Sequence, residues 1–472
     1  MKNDQLCCGF NLLRLRPIRA LVLWPGFPYV FQFITLAIFV TLAIIGWGHF
    51  APVGINDKLY AKTNIVNLII WGLWWPSMVW LAVLFGRIWC TVCPLELVAN
   101  GAERLGRRLG VRQLILGKWL RSGAVIVGLY AIIQLCVAGA HLHRIPAYTS
   151  LFLCSLLGAA GLAGFFFKDR AFCRGFCPVG LLLSTYGRGG MLAVRAGSAQ
   201  VCANCTGKGC IMACNRSKLF GRSCPSLLNP PKLNSNRDCL VCGQCIKSCK
   251  PDNMQLILRR PFHPADVREP LASWPVTVFV MMVSGFVTGE LCSEWPLAKS
   301  VFLWIPEHFT EYCNLSLMGG WVEGIWTICV FPLLLWFVLG MLTSLNSDDA
   351  FITIRAWRLL ALPIVVIVSA GHMAKGLAKF VLWIVFLPYA CKDPIGIKTA
   401  LEMSSKTIRQ PASLMSMTII SILGMILVIT GMYFSVREAK LANPETHYVR
   451  LAPKLILGVF FAFIIFGWGY IR

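Results

Sequence analysis

Cys239-Leu240-Val241-Cys242-Gly243-Gln244-Cys245-Ile246-Lys247-Ser248-Cys249-Lys250-Pro251 decides how this chain is read. Its spacing, C-x2-C-x2-C-x3-C, is the bacterial ferredoxin run for a [4Fe–4S] cluster, with Lys250 set between the last cysteine and the proline. In such a run three closely spaced thiolates hold one cluster and the fourth cysteine reaches a neighbouring one. Four soft thiolates surround the inorganic cube, and backbone N–H groups offset the cluster's negative charge. Lys247 and Lys250 are expected to raise its potential. Structural zinc also takes four cysteines, but it favours two separated C-x2-C pairs over one compact run.

A second, looser set lies just upstream. Cys202, Cys205 and Cys210 can supply three ligands. The fourth, cluster-crossing cysteine is Cys214, favoured by its x3 spacing, or Cys224, favoured by the following Pro225. Two [4Fe–4S] clusters are therefore expected in the stretch 179–265. Disulfides are disfavoured if that stretch faces a reducing compartment.

The surroundings of this stretch are those of a membrane. The chain has 472 residues, of which 57% are hydrophobic and only 14% charged, and a mean hydropathy of +0.68. Soluble domains are about 25% charged. A helix needs roughly 20 apolar residues to cross the bilayer core. Runs of that kind lie near 27–50, 64–86, 119–140, 148–167, 273–292, 321–345, 358–390, 412–434 and 451–471. The long run at 358–390 predicts a tilted span, an extension beyond the membrane, or a break at Gly371 or Gly376. The basic start at Arg14, Arg16 and Arg19 precedes a full-length span, not the short apolar region of a cleaved signal peptide.

The net charge of +24 would suggest nucleic acid in a soluble chain, but here it sets orientation. Segments 1–19, 87–118 and 168–270 hold 26 Lys and Arg against 8 Asp and Glu, a net +18. By the positive-inside rule these segments face the cytoplasm. The expected architecture is an all-α polytopic membrane protein of about nine transmembrane helices with an inserted cytoplasmic, bacterial-ferredoxin-like domain. Residues 1–178 form a four-helix membrane domain, 179–265 the iron–sulfur domain and 266–472 a second membrane domain of about five helices.

Two further cysteine pairs follow the second and fourth apolar runs. Trp89-Cys90-Thr91-Val92-Cys93-Pro94 and Phe172-Cys173-Arg174-Gly175-Phe176-Cys177-Pro178 share one order: basic residue, aromatic, Cys, short gap, Cys-Pro. They read as an internal repeat of a helix hairpin. Cys90, Cys93, Cys173 and Cys177 then form either a third metal or redox centre or a set of buried thiols closing two helix ends.

The two Cys-Pro motifs and the ferredoxin run together resemble the membrane-bound polyferredoxins of the NapH type. That group includes the quinol-dehydrogenase membrane component of periplasmic nitrate reduction, the ferredoxin-like protein of methylamine utilisation, the oxidase-accessory polyferredoxin and the nitrous oxide reductase regulator. The resemblance covers about residues 1–270. It implies two [4Fe–4S] clusters at the cytoplasmic face of a bacterial inner membrane, electron transfer linked to quinone, and a redox partner such as a cytochrome or terminal reductase in a hetero-oligomeric complex. Family members usually separate the paired cysteines by three residues, and Cys90 and Cys93 are separated by two.

Ionisable groups inside membrane spans are costly and mark functional candidates. In the C-terminal half the strongest are His372 and Lys375, on nearly one helix face. His372 offers a ligand to haem b or a hydrogen bond to quinone, although no second histidine is spaced to complete a bis-His haem site. The first functional expectation is therefore a quinol dehydrogenase-like electron-transfer subunit. A copper reductase or oxidase-assembly factor is the rival enzyme class, and a membrane scaffold subunit of a respiratory complex the third.

Overall fold

The computed structural model describes residues 9–263, 271–344, 352–442 and 451–470. The domain boundary expected at 265/266 falls outside them. Among the described residues, seven helices are long and apolar enough to cross a membrane: Ile65–Phe85, Pro146–Phe166, Trp274–Cys292, Ser316–Thr343, Arg355–Lys392, Met417–Leu441 and Leu451–Tyr470. They mark a multi-pass membrane protein. Two more apolar helices, Tyr29–Ile45 and Ala124–Gly139, have 17 and 16 residues. At 1.5 Å per residue these extend about 24–26 Å, a little less than a core of about 30 Å.

Contacts divide the chain into two compact units. The first comprises Met1–Phe39, Leu81–Ile126 and Ser155–Arg268 and holds every cysteine motif described above. Its cysteine-rich part is built on a three-stranded antiparallel sheet of strands β1 (Phe10–Asn11), β2 (Leu192–Ala196) and β3 (Met254–Leu258), in the order β1-β3-β2. Leu192 pairs with Leu258 and Ala196 with Met254, so the ends of the cysteine-bearing segment are drawn together. Val194, Met254 and Leu256 on these strands pack with Val22, Val241 and Ile246 into a small apolar core, and the Cys239 side chain is part of it.

The second unit comprises Val40–Trp80, Val127–Cys154 and Glu269–Arg472. Its central element is the helix of Arg355–Lys392, packed against Met417–Leu441 and Trp274–Cys292. The helix runs unbroken from Ile352 to Trp383, through both Gly371 and Gly376. It tightens to a 3-10 turn at Ile384–Phe386 instead. Its 32 residues extend about 48 Å, which accounts for the length of the apolar run without a break.

Membrane helices lack a hydrophobic drive to associate and depend on close packing at small residues. Gly285 provides such a contact: a Cβ there would collide with the Thr327 carbonyl and the Pro332 ring. Gly285→Leu should therefore lower the thermal unfolding midpoint of the detergent-solubilised protein, the overpacking costing about 1–3 kcal/mol. An unchanged midpoint would count against this packing.

Candidate iron–sulfur site and buried cysteine cluster

The ferredoxin-type loop owes its shape to backbone that ordinary side chains avoid. Val241 has φ 57° and Gly243 φ 69°. The left-handed region is unusual for a β-branched residue. With this double bend Cys239, Cys242 and Cys245 line one small cavity of about 20 Å³, and Cys224 lines the same cavity. Burial raises the thiols of Cys239, Cys242 and Cys245, and that of Cys242 is pushed up to about 11.

The remaining cysteines sort accordingly. Burial pushes the Cys210 thiol up to about 11, with Cys249, Cys202 and Cys205 adding to the rise as near neighbours. Cys224 donates its N–H to the Cys210 carbonyl at 2.9 Å, which ties the two groups together. Cys214 is exposed, with Asn215 Oδ1 4.0 Å from its sulfur. Each group of four thiols suits an iron–sulfur cluster in its donor chemistry. Among the described residues, no three His, Cys, Asp or Glu converge as ligands of a single metal ion.

Asn253, which the spacing of cysteines gave no reason to single out, links two of these thiols. Its side chain donates to Cys202 Sγ at 3.1 Å and its backbone N–H to Cys249 Sγ at 3.3 Å. It also fixes the Ser198 turn, donating to the Ser198 carbonyl at 2.7 Å and accepting from the Ser198 N–H at 2.9 Å. Lys247, expected beside the cluster, instead turns its ammonium to the carbonyls of Trp24 and Phe27.

The paired cysteines also come together. Cys93, Cys173 and Cys177 pack on one apolar cluster with Leu95, Ala99 and Phe172. Cys90 joins them as an electrostatic neighbour of all three. Burial pushes the Cys177 thiol up to about 12. The unequal spacing of the two motifs has a local explanation. Trp89–Val92 is an ordinary α turn, while Phe172–Phe176 is a wide π turn closed by the Cys177 N–H on the Phe172 carbonyl at 2.8 Å. The extra residue of the second motif is taken up in that turn. Both second cysteines then leave in extended backbone, as a following proline requires.

Two buried guanidiniums flank these thiols. Arg87 interacts with Cys90, and Arg170 with Cys173 and Cys90. Arg87 Nε and Arg170 Nη2 are buried with no hydrogen-bond acceptor. Asp169 and Arg170 both hold left-handed backbone, φ 64° and 55°, so the chain accepts strain to aim Arg170 inward. Below the thiols, Glu96 is 2% exposed and takes Arg222 at 2.7 Å, Arg170 at 3.2 Å and Gln32 Nε2 at 2.7 Å. Burial alone would raise its pKa, but Arg222 and Arg170 outweigh this and hold it at about 2.

The paired cysteines and the ferredoxin loop are joined directly. Thr91, between Cys90 and Cys93, donates to the Leu240 carbonyl, between Cys239 and Cys242, at 2.7 Å. Arg87 reaches Asp238 at 3.6 Å.

In the second unit, His372 is 3% exposed, with its ring 6.1 Å from Trp75 and 5.7 Å from Phe286. Lys375 is equally enclosed. Its ammonium bonds Glu294 at 2.6 Å and Ser293 at 2.8 Å and lies 3.4 Å from Glu290. Glu294 lies 81 residues from Lys375, and their pairing is not visible from spacing.

The chain combines helices long and apolar enough to cross a membrane with a cysteine-rich segment built on a small sheet. Among known proteins, the chain is 27% identical over 190 residues to the ferredoxin-type protein NapH of Haemophilus influenzae and 24% over 190 residues to that of Escherichia coli. It is 28% identical over 169 residues to the methylamine utilization ferredoxin-type protein MauN of Methylobacillus flagellatus. These matches cover 34–37% of this chain. The two NapH matches span 61% and 62% of those proteins' length, and the MauN match 56%. At this modest identity they support membership of the NapH-type polyferredoxin family. No family model and no solved structure matches the chain.

Two outcomes test this geometry. Asn253→Ala should make the midpoint potential of one cluster more negative, on the order of 30–60 mV, because it removes an N–H donor that favours the more negative, reduced state; an EPR-monitored redox titration reads it. Glu96→Ala should cost about 3–5 kcal/mol by leaving Arg170 and Arg222 buried without their partner. Because the folded pKa lies below the ordinary value of 4.5, this stabilisation is present above pH 4.5 and fades as pH falls through about 2. In thermal melts at neutral pH, Glu96→Ala combined with Arg222→Met should recover part of the loss.

Proposed function

We propose that this protein is an electron-transfer subunit that links the membrane quinone pool to a partner redox protein through two [4Fe–4S] clusters. One cluster is held by Cys239, Cys242, Cys245 and Cys224, the other by Cys202, Cys205, Cys210 and Cys249. Cys214 stays outside both. The ferredoxin spacing, the shared cavity and the ferredoxin-type relatives support this reading. The clusters supply one-electron storage, and two such centres match a couple that exchanges two electrons and two protons, as quinol and quinone do. The chain contributes the loop that holds the thiolates, the N–H donors of Asn253 to two sulfurs and a basic surround that keeps the reduced state accessible.

The observation that carries the electron path is the hydrogen bond from Thr91 to the Leu240 carbonyl. It sets the Cys90, Cys93, Cys173 and Cys177 group beside the cluster loop. We assign to that group a third redox centre of metal bound by thiolates. Arg87 Nε and Arg170 Nη2, buried and without acceptors, suit an anionic occupant. The quinone is proposed to approach the membrane half, where His372 lies between Trp75 and Phe286. The basic segments orient the cluster domain toward the cytoplasm of a bacterial inner membrane, and the acceptor is a cytochrome or terminal reductase bound as a partner.

Anaerobic purification followed by iron analysis and EPR during a quinol titration tests the whole reading. Two clusters require about eight irons per chain, and the third centre adds metal that Cys90→Ser with Cys173→Ser removes while leaving those eight. Zinc in place of iron would overturn the reading, and eight irons with no further metal would remove the third centre. Loss of one cluster in Cys224→Ser but not in Cys214→Ser is the expected ligand pattern.

A further inference from the structure

The second unit contains a cavity of about 520 Å³ that the electron-transfer reading does not use. Its size is that of a small-molecule site. The wall comes from the connections after the Tyr29–Ile45, Ala124–Gly139 and Trp274–Cys292 helices, together with the helix that carries Lys375. Six Lys and Arg face it against three Glu, a formal +3.

The distribution of these charges is more telling than their sum. Lys375 is neutralised within the wall by Glu290 and Glu294. Among the described residues, no carboxylate lies within ion-pair distance of Lys58, Lys62, Arg144, Lys299 or Lys379. Lys62 and Lys379 instead sit over the rings of Phe386 and Trp383, at 5.4 and 5.2 Å. Arg144 donates its Nε to His143 Nε2 at 3.1 Å, and His143 Nδ1 donates to the Val137 carbonyl at 3.1 Å. Both ring nitrogens of His143 are thus engaged with the ring neutral, and burial holds its pKa down at about 3. The histidine positions Arg144 and is not itself a charge in the wall.

Like charges held together at partial burial are unfavourable unless something answers them. Burial lowers the pKa of Lys58 and of Lys62. Arg144 and Lys299 depress Lys58 further, with Glu294 and Glu323 opposing them by smaller amounts; at Lys62, Glu294 outweighs the depression by Lys58 but not the burial. Lys58 and Lys299 are exposed at the mouth, while Lys62, Arg144 and Lys379 are half-buried farther in. This arrangement draws a negative ligand inward along increasing confinement. A neutral quinone ring would leave the cations unanswered.

We propose that this cavity binds a small, multiply charged oxyanion, carried either by a soluble compound with phosphate or carboxylate groups or by the headgroup of an anionic lipid. Lys62, Lys379 and Arg144 make the inner contacts, and Lys58 and Lys299 gather the ligand at the rim. The Lys375–Glu290–Glu294 cluster sets the floor and limits how much negative charge is accepted.

Isothermal titration calorimetry of the full chain in discs of neutral phosphatidylcholine tests the proposal, with pyrophosphate and citrate as probes at constant ionic strength. One saturable site is expected for at least one probe, weakened tenfold or more by Lys379→Ala and by Lys62→Ala. Lys379→Arg should retain binding, and the exposed Lys118→Ala should not change it. Lys299→Ala, at the rim, gives a second reading on a variant whose folding is not at stake. Weaker probe binding in discs containing phosphatidylglycerol would identify a lipid headgroup as the ligand, and unchanged binding a soluble anion. The proposal is overturned if neither probe saturates, or if affinity is unaltered in both lysine variants that still melt as the parent does.

Discussion

One buried carboxylate organises the first unit. Glu96 sits at the first turn of the helix that follows Cys93-Pro94, and it gathers Arg222 from the cluster domain, Arg170 from the second cysteine motif and Gln32 from the first apolar helix. These four residues lie at least 52 positions apart and together span 190 positions of the chain. Removing a carboxylate from water costs several kcal/mol, and two guanidiniums and an amide offset that cost only if all arrive together. The interaction thus acts less as a source of stability than as a condition on assembly. The two Cys-Pro turns and the cluster domain can be completed only in one mutual arrangement.

Much of this was readable in the chain itself because it is encoded in short-range patterns. Apolar runs give membrane helices, since a helix must satisfy its backbone internally within lipid. The C-x2-C-x2-C run gives a tight loop, and in the structure Cys239, Cys242 and Cys245 do line one small cavity. What could not be read depends on tertiary geometry. Spacing favours Cys214 and the following proline favours Cys224, yet the first is exposed and the second lines a cavity with three cysteines of the distant run. Asn253 is an ordinary polar residue until the sheet brings Ser198 and Cys202 to it. Gly371 and Gly376 looked like points of breakage. Surrounding helices hold that segment straight, which shows propensity yielding to packing.

The two units also handle charge differently. In the first, the buried Arg170 and Arg222 face the Glu96 carboxylate and the buried Arg87 faces Cys90. In the second, Lys375 is balanced by two glutamates while its neighbours are left to aromatic faces and to whatever enters the cavity. The excess of lysine and arginine is thus placed differently in the two units, beside a carboxylate and thiols in the first and around a cavity in the second.

The π turn at Phe172–Phe176 bears on how such a repeat can age. Duplicated hairpins that must bring four sulfurs together would seem bound to keep identical loop lengths. A single wide turn relaxes that bond, because it swallows one residue without displacing the cysteine that follows. Either copy can gain or lose a residue and remain in step with its twin. A pattern search that insists on equal gaps would pass over half of the motif, although the four thiols still meet.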